Sequence, residues 1–177
     1  LPYKKILIYS TSAIWLAALL LLLWFSFNKR LVEFDPHGQL GQAILQPEFD
    51  QNFANLISTE RNRRIFHIRA GGCQCNWIAS RHINSVAALA DQNNYINQTI
   101  ELTNDSTLAK IIPSTPAVAV FDDNGRLAYF GPYAAGAWCS PGQGLVESFL
   151  KTGQHLQKQG ASILTEVKGC YCASEPH

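Results

Sequence analysis

The stretch Arg64-Ile65-Phe66-His67-Ile68-Arg69-Ala70 alternates and is rich in β-branched and aromatic residues, the pattern of a strand, and it runs through Gly71-Gly72 into Cys73-Gln74-Cys75-Asn76. Trp77, Ile78, His82, Ile83, Val86, Leu89 and Ala90 then recur at helical spacing. Two cysteines therefore sit where the carboxyl end of a strand hands over to a helix N-terminus. A strand feeding a helix in this way implies an α/β architecture. It also places thiols where backbone N–H groups and the positive end of a helix dipole stabilise a thiolate. Cys73 or Cys75 is expected to be reactive.

The remaining elements follow from period and punctuation. Pro47, Glu48, Phe49, Phe53, Leu56 and Ile57 give an amphipathic helix over 47–60. Residues 95–102 read as a strand and 104–110 as a short helix. Ala117-Val118-Ala119-Val120-Phe121 is a strand, Asp123-Asn124-Gly125 a hairpin turn, and Arg126 to Phe130 the returning strand, ended by Gly131-Pro132. Tyr133 to Gly144 is a small-residue loop holding Trp138 and Cys139, and 145–156 has the spacing of a last helix. The chain closes on a tail carrying Gly169-Cys170-Tyr171-Cys172. The two Cys-x-Cys pairs lie in dissimilar contexts, and no internal repeat is present.

Ahead of all this, Ile6 to Phe27 is 22 residues without a charge, long enough as a helix to cross a bilayer. A cleaved signal peptide would have a shorter apolar region ending in a small-x-small site, whereas this one ends Trp24-Phe25-Ser26-Phe27-Asn28. The expected organisation is a short cytoplasmic tail (1–5), an anchor (6–27), a linker (28–46) marked by Asp35-Pro36-His37-Gly38, a domain (47–160) and a Cys-containing tail (161–177). Lys4 and Lys5 are matched by Lys29 and Arg30, so charge does not orient the anchor. The short N-terminal tail and the five Cys of the remainder favour placing the domain outside the cytoplasm. A chain of 177 residues with no Met and Leu at position 1 suggests an alternative start codon and hence a bacterial gene, which makes the expected location the inner membrane with the domain in the periplasm.

The succession strand, Cys pair, helix, strand, helix, Thr115-Pro116, hairpin, Gly131, helix resembles the thioredoxin superfamily over roughly residues 64–156. In that superfamily a cis-proline opens the next core strand about forty residues after the Cys pair and faces it, and Cys75 to Pro116 spans 41 positions. The resemblance is to membrane-tethered envelope members, including ones with a Cys-x-Cys-Asn site. It implies a central mixed sheet flanked by helices. The implied activity is a thiol–disulfide oxidoreductase or isomerase acting on protein thiols and disulfides without a cofactor, with Thr115, Pro116 and Gly131 beside the substrate. The departure is one residue between the Cys where two are usual.

That departure leaves the pairing open. An i,i+2 pair can close, with strain, which would give Cys73–Cys75 the character of an oxidant or isomerase. Alternatively Cys139 resolves a bond made at Cys73 or Cys75. Cys170 and Cys172 are expected to pin the tail, with Cys139 as partner, or to form a second redox pair. Five Cys is odd, so one thiol stays free unless chains are cross-linked.

Other classes are less well served. A copper or zinc site from the two Cys pairs with His82, His155 and His177 lacks the spacing of thioredoxin-like copper chaperones, which need a three-residue gap, and of zinc ribbons. No metal site is expected, and His82 reads as a surface or packing residue. An adaptor with purely structural disulfides is the remaining alternative. Asp122, Asp123 and Asn124 are explained by the hairpin. Beyond residue 30 there are ten bases against thirteen acids, and the run Arg61, Arg63, Arg64 is short, so nucleic acid is not an expected partner.

Overall fold

The computed structural model of the chain describes residues 2–28, 31–57, 60–103, 106–136, 142, 144–151 and 160–174. Its first element, helix α1 (Pro2–Asn28), contains a span Tyr3–Ser26 of 24 residues with mean hydropathy 2.3, none of it buried against the rest of the protein. Among the described residues this is the one helix long and apolar enough to cross a membrane.

Five strands form the central sheet: β2 (Arg64–Ala70), β3 (Ile96–Leu102), β5 (Ala117–Phe121), β6 (Leu127–Pro132) and β7 (Ser162–Ile163), in the order β3-β2-β5-β6-β7. β2 runs parallel to β3 and antiparallel to β5. The β5–β6 hairpin is antiparallel, and β7 joins β6 in parallel. The sheet is mixed because the connection from β2 to β3 passes through helix α4 (Gln74–Gln92), while Asp122-Asp123-Asn124-Gly125 turns the chain back at once. Asp122 Oδ1 accepts from the N–H groups of Asn124 and Arg126, both at 2.8 Å, which accounts for the acidic cluster as turn chemistry.

The period of two divides the strands between two cores. Phe66 and Ile68 of β2, with Ala117, Ala119 and Phe121 of β5, join a first core with helix α3 (Phe49–Ile57). Ile65, Val118 and Val120 point the other way, against α4 and α5 (Glu147–Lys151). Both faces of β5 are covered, hence its unbroken apolar run. The result is a mixed α/β protein with a central mixed sheet between helices.

Two expectations are corrected here. The segment 28–46 is not a free linker. Its residues form β1 (Val32–Glu33) and α2 (Gln39–Ala43), and Phe34 and Leu40 are wholly buried in the first core. Asp35-Pro36-His37-Gly38 does make a turn, with Gly38 at φ 67° before α2 and Asp35 Oδ2 accepting from Gly41 N–H at 2.8 Å. The turn chemistry is legible in the residue types, but the apolar residues flanking it are too few to show a period. On α4, Trp77 and Ile78 are exposed, Trp77 at 81%, and Ala79, His82, Ile83, Val86 and Ala90 form the buried stripe. Of the expected helix 145–156, α5 covers Glu147–Lys151, and 152–159 lie outside the described residues.

The second core carries two buried polar links. Tyr133 O–H donates to His67 Nδ1 at 2.5 Å, His67 Nε2–H donates to Asn97 Oδ1 at 2.8 Å, and Asn97 in turn donates to Asp91. This sets His67 as the neutral Nε2–H tautomer, and burial pushes its pKa below the ordinary 6.5. His82 Nε2 meets Glu147 Oε1 at 2.6 Å, both side chains buried. Burial works to raise the Glu147 pKa, but the hydrogen bond from His82, with backbone N–H groups including that of Gly144, holds it below the ordinary 4.5. Gly144 has no room for a Cβ, which would overlap Glu147 and His82.

Both groups make acid destabilising. The unfolded chain binds protons at His67 and Glu147 that the folded chain refuses, so stability rises with pH. Thermal melts should show a falling Tm first as pH drops through about 6.5, from His67, and again below about 4.5, from Glu147. Each loss amounts to about 1.4 kcal/mol for every tenfold difference in proton affinity between the unfolded and folded chain. A Tm unchanged between pH 7.5 and 5.5 would contradict a neutral, buried His67.

Candidate functional site

At the end of β2 the chain turns through Gly71 and Gly72, the latter at φ 76°, a left-handed conformation open to glycine. Cys73 follows as the N-cap of α4, extended at φ −75° and ψ 113°. Asn76 fastens the junction. Its Nδ2 donates to the carbonyl of Ala70 at 2.8 Å, tying the first turn of the helix back to the last residue of the strand. The composition of this segment points to the cysteines; the positioning role of Asn76 has no separate signal in the sequence.

Thr115 and Pro116, far along the chain, come to the same place. Thr115 ends a two-residue strand, β4 (Ser114–Thr115), Pro116 follows it, and the Thr115–Pro116 peptide is cis. Cys73 Sγ lies 3.7 Å from the Thr115 carbonyl oxygen. The sulfur is part of a disulfide and has no proton to donate, so this is a contact between neighbours.

The tail completes the site. Strand β9 (Cys172–Ala173) lies antiparallel on β4, with Cys172 opposite Thr115 and Ala173 opposite Ser114, and Ser174 N–H donates to the Pro113 carbonyl at 3.0 Å. Cys172 is bonded to Cys73 and Cys170 to Cys75, with Cα–Cα distances of 5.9 and 5.6 Å, inside the ordinary disulfide range. The tail cysteines thus reach the helix N-terminus rather than the expected partner Cys139, which lies outside the described residues. The local Cys73–Cys75 bridge does not form either.

Matched spacing explains the pairing. In an extended segment, residues two apart share a face and the one between points away. Cys170 and Cys172 are half-buried toward the sulfurs at α4. Tyr171 turns into the first core, where its ring meets Phe34 edge-on at 5.3 Å and its O–H donates to the Ala134 carbonyl at 2.7 Å. The single residue between Cys73 and Cys75 is the counterpart of Tyr171.

Upstream, strand β8 (Lys168–Gly169) pairs antiparallel with β1, Glu33 and Lys168 are 3.3 Å apart as an ion pair, and Phe34 N–H donates to the Val167 carbonyl at 2.8 Å. A Cβ at Gly169 would overlap the Tyr171 ring, which explains the glycine beside Cys170. The tail is thus stitched to β6, β1 and β4 in turn. Each contact is only two residues long, too short to announce itself in a sequence.

Cys73, Cys75, Thr115, Pro116, Cys170 and Cys172 form one constellation. Gly131 pairs with Val118, and the atoms nearest to where its Cβ would stand belong to Tyr129 and Leu164 rather than to a cysteine. His82 belongs to the Glu147 pair, while His155 and His177 lie outside the described residues. Cys75 is buried and the other three cysteines half-buried. The sulfurs of Cys73, Cys75 and Cys172 all lie within 4.8 Å of one another. Asn76 Oδ1, Thr115 Oγ1 and Ser174 Oγ, each on a segment that carries or flanks a cysteine, are buried without a hydrogen-bond partner among the described residues.

No curated protein and no solved structure matches the chain. Residues 42–174, from helix α2 through the tail cysteines, match the family model described as Domain of unknown function (DUF6436), and the chain belongs to that family.

Proposed function

We propose that the protein is a membrane-tethered, thioredoxin-like thiol–disulfide exchange protein of the bacterial envelope, acting on cysteines in extended protein segments, with its domain in the periplasm. The observation that carries this reading is the place of the tail. β9 lies on β4 next to Pro116 with Cys172 bonded to Cys73, the arrangement that a client strand joined to Cys73 would adopt by strand addition. The meeting of Cys73 with Thr115 and the sheet order around them accord with the thioredoxin resemblance. Two disulfides accord with an oxidising compartment, and exposed Trp77 and Ile78 offer apolar surface just beyond the sulfurs.

In this reading a client thiolate attacks Cys73 Sγ, the Cys73–Cys172 bond breaks, and Cys172 leaves as a thiolate. The client is then held to Cys73 by a mixed disulfide and takes the strand position on β4 vacated by β9. A second client thiolate attacks its own partner sulfur, closing a client disulfide and releasing Cys73. The client loses two electrons, and the Cys73/Cys172 pair gains them. Run in reverse, the same steps reduce a client.

The full chain in detergent, mixed with a peptide bearing two thiols, should form peptide disulfide together with a mixed disulfide mapping to Cys73. The Cys73→Ser/Cys172→Ser variant should form neither. An inert wild type would favour a second reading, supported by the bonding of the tail cysteines to those at α4: an adaptor whose two bridges only fasten the tail. Exchange undiminished in that variant would move the chemistry away from Cys73.

A further inference from the structure

Sulfurs from two distant segments of the chain meet at the start of α4, and among the described residues the group that could hold a metal, Cys73, Cys75 and Cys172, consists of cysteines alone. We propose that the reduced protein binds one Zn²⁺ through the thiolates of Cys73, Cys75, Cys170 and Cys172, so that the same four sulfurs fasten the tail either as two disulfides or as a metal site. This goes beyond the exchange reading and does not depend on it. It needs the sulfurs to converge and requires no client.

The geometry is close to what the ion demands. Four thiolates about 2.3 Å from a zinc stand roughly 3.8 Å from one another at tetrahedral corners. Cys73, Cys75 and Cys172 already lie within 4.8 Å of each other, while Cys170, bonded to Cys75, stands outside that group and has to swing toward it once its disulfide is reduced. Each Cys-x-Cys pair supplies two ligands, one pair from the start of α4 and the other from the tail, with Cys170 between β8 and β9 and Cys172 on β9, and the β8–β1 and β9–β4 pairings hold the tail in place.

The surroundings suit the charge. Four thiolates and Zn²⁺ carry a net −2, and two of the thiolates sit at the N-terminus of a 19-residue helix, where negative charge is favoured. The buried hydroxyls of Thr115 and Ser174, which have no partner among the described residues, are donors that a thiolate cluster can use as outer hydrogen bonds. No carboxylate or imidazole joins the group among the described residues, so thiophilic cations are preferred over calcium or magnesium.

The interconversion balances. Two equivalents of an external dithiol deliver four electrons and four protons to the two disulfides and become two disulfides themselves, leaving four thiols on the protein. Zinc then displaces four protons from those thiols. In the return direction two equivalents of an external disulfide take up the four electrons and four protons from solvent to become two dithiols, the two bridges re-form and the ion is released.

The test uses the full chain in detergent, reduced under argon, given Zn²⁺ and freed of excess by gel filtration. The expected result is one zinc per chain in the reduced protein and none in the two-disulfide form. Co²⁺ in place of zinc should give thiolate-to-metal charge-transfer bands and tetrahedral d–d bands. Alkylation mapped cysteine by cysteine should be slow at Cys73, Cys75, Cys170 and Cys172 until a chelator is added. That last measurement is made on the wild type, so a Cys→Ser variant that fails to fold cannot obscure the answer.

Equal alkylation of the four cysteines with and without zinc overturns the proposal. So does zinc retained by the two-disulfide form, which would place the ion elsewhere. Uptake of Cu(I) with zinc excluded, leaving one of the four thiols open to alkylation, overturns the four-thiolate zinc assignment.

Discussion

Losing both disulfides should destabilise the protein by more than the sum of losing each alone. Cys73 and Cys172 are 99 residues apart and Cys75 and Cys170 are 95 apart, so the first bond to form removes the closure entropy of a loop of that length, about 4.7 kcal/mol. With one bond in place the second closes a ring of only a few residues, because its cysteines sit two positions from the first pair, and adds about 2 kcal/mol. Cys75→Ala/Cys170→Ala should therefore cost about 2 kcal/mol, Cys73→Ala/Cys172→Ala about the same, and all four together about 7 kcal/mol. Urea unfolding of the four proteins in the same detergent measures this. Strictly additive losses would mean that the two bonds do not share a loop, contrary to the nested pairing at α4.

The second large effect lies in the segment ahead of the domain. Phe34 is 0% exposed, packs edge-on against Tyr171 at 5.3 Å and Phe130 at 6.4 Å, and precedes the turn into α2. Phe34→Ala removes a ring from a closed core and should cost about 3–5 kcal/mol. Leu45→Ala, in the same segment but 80% exposed, should stay within about 0.5 kcal/mol. The Phe34 change should also speed reduction of both disulfides by a dithiol, because Tyr171 sits between the two tail cysteines and rests on that ring. A variant with ordinary reduction kinetics would separate the first core from the tail.

What a sequence can reveal of this fold divides along physical lines. β2, β5 and β6 are legible because a buried strand must alternate or run wholly apolar over five to seven residues, whereas β3 is buried only at Leu102 and carries a weaker signal. The junction at Cys73 is legible because Gly71-Gly72 stands between two such signals. β1, β4, β7, β8 and β9 are two residues long and have no period, so they emerge only from their partners. Trp77 reads as part of the buried stripe, yet it is exposed, because a helical face near its start cannot show from composition whether a neighbour covers it.

The site is half visible in the same way. The meeting of Cys73 with Thr115 is what the thioredoxin resemblance implies, and the order of elements carries that resemblance. The partners of Cys170 and Cys172 do not, since five cysteines admit many pairings and no local pattern selects among them. The tyrosine between them holds the missing information. An aromatic flanked by two cysteines on an extended segment means that one face is anchored while the other presents both sulfurs.

The pairing of β1 with β8 sets a short tether. Val32 lies four residues beyond the end of α1, so the β1–β8 ladder begins no more than about 14 Å along the chain from Asn28. Cys170 follows β8 immediately. For a chain held in a bilayer by α1, Cys170 therefore stays within a short length of chain from the lipid surface, and under the exchange proposal a client would have to bring its cysteines down to that height.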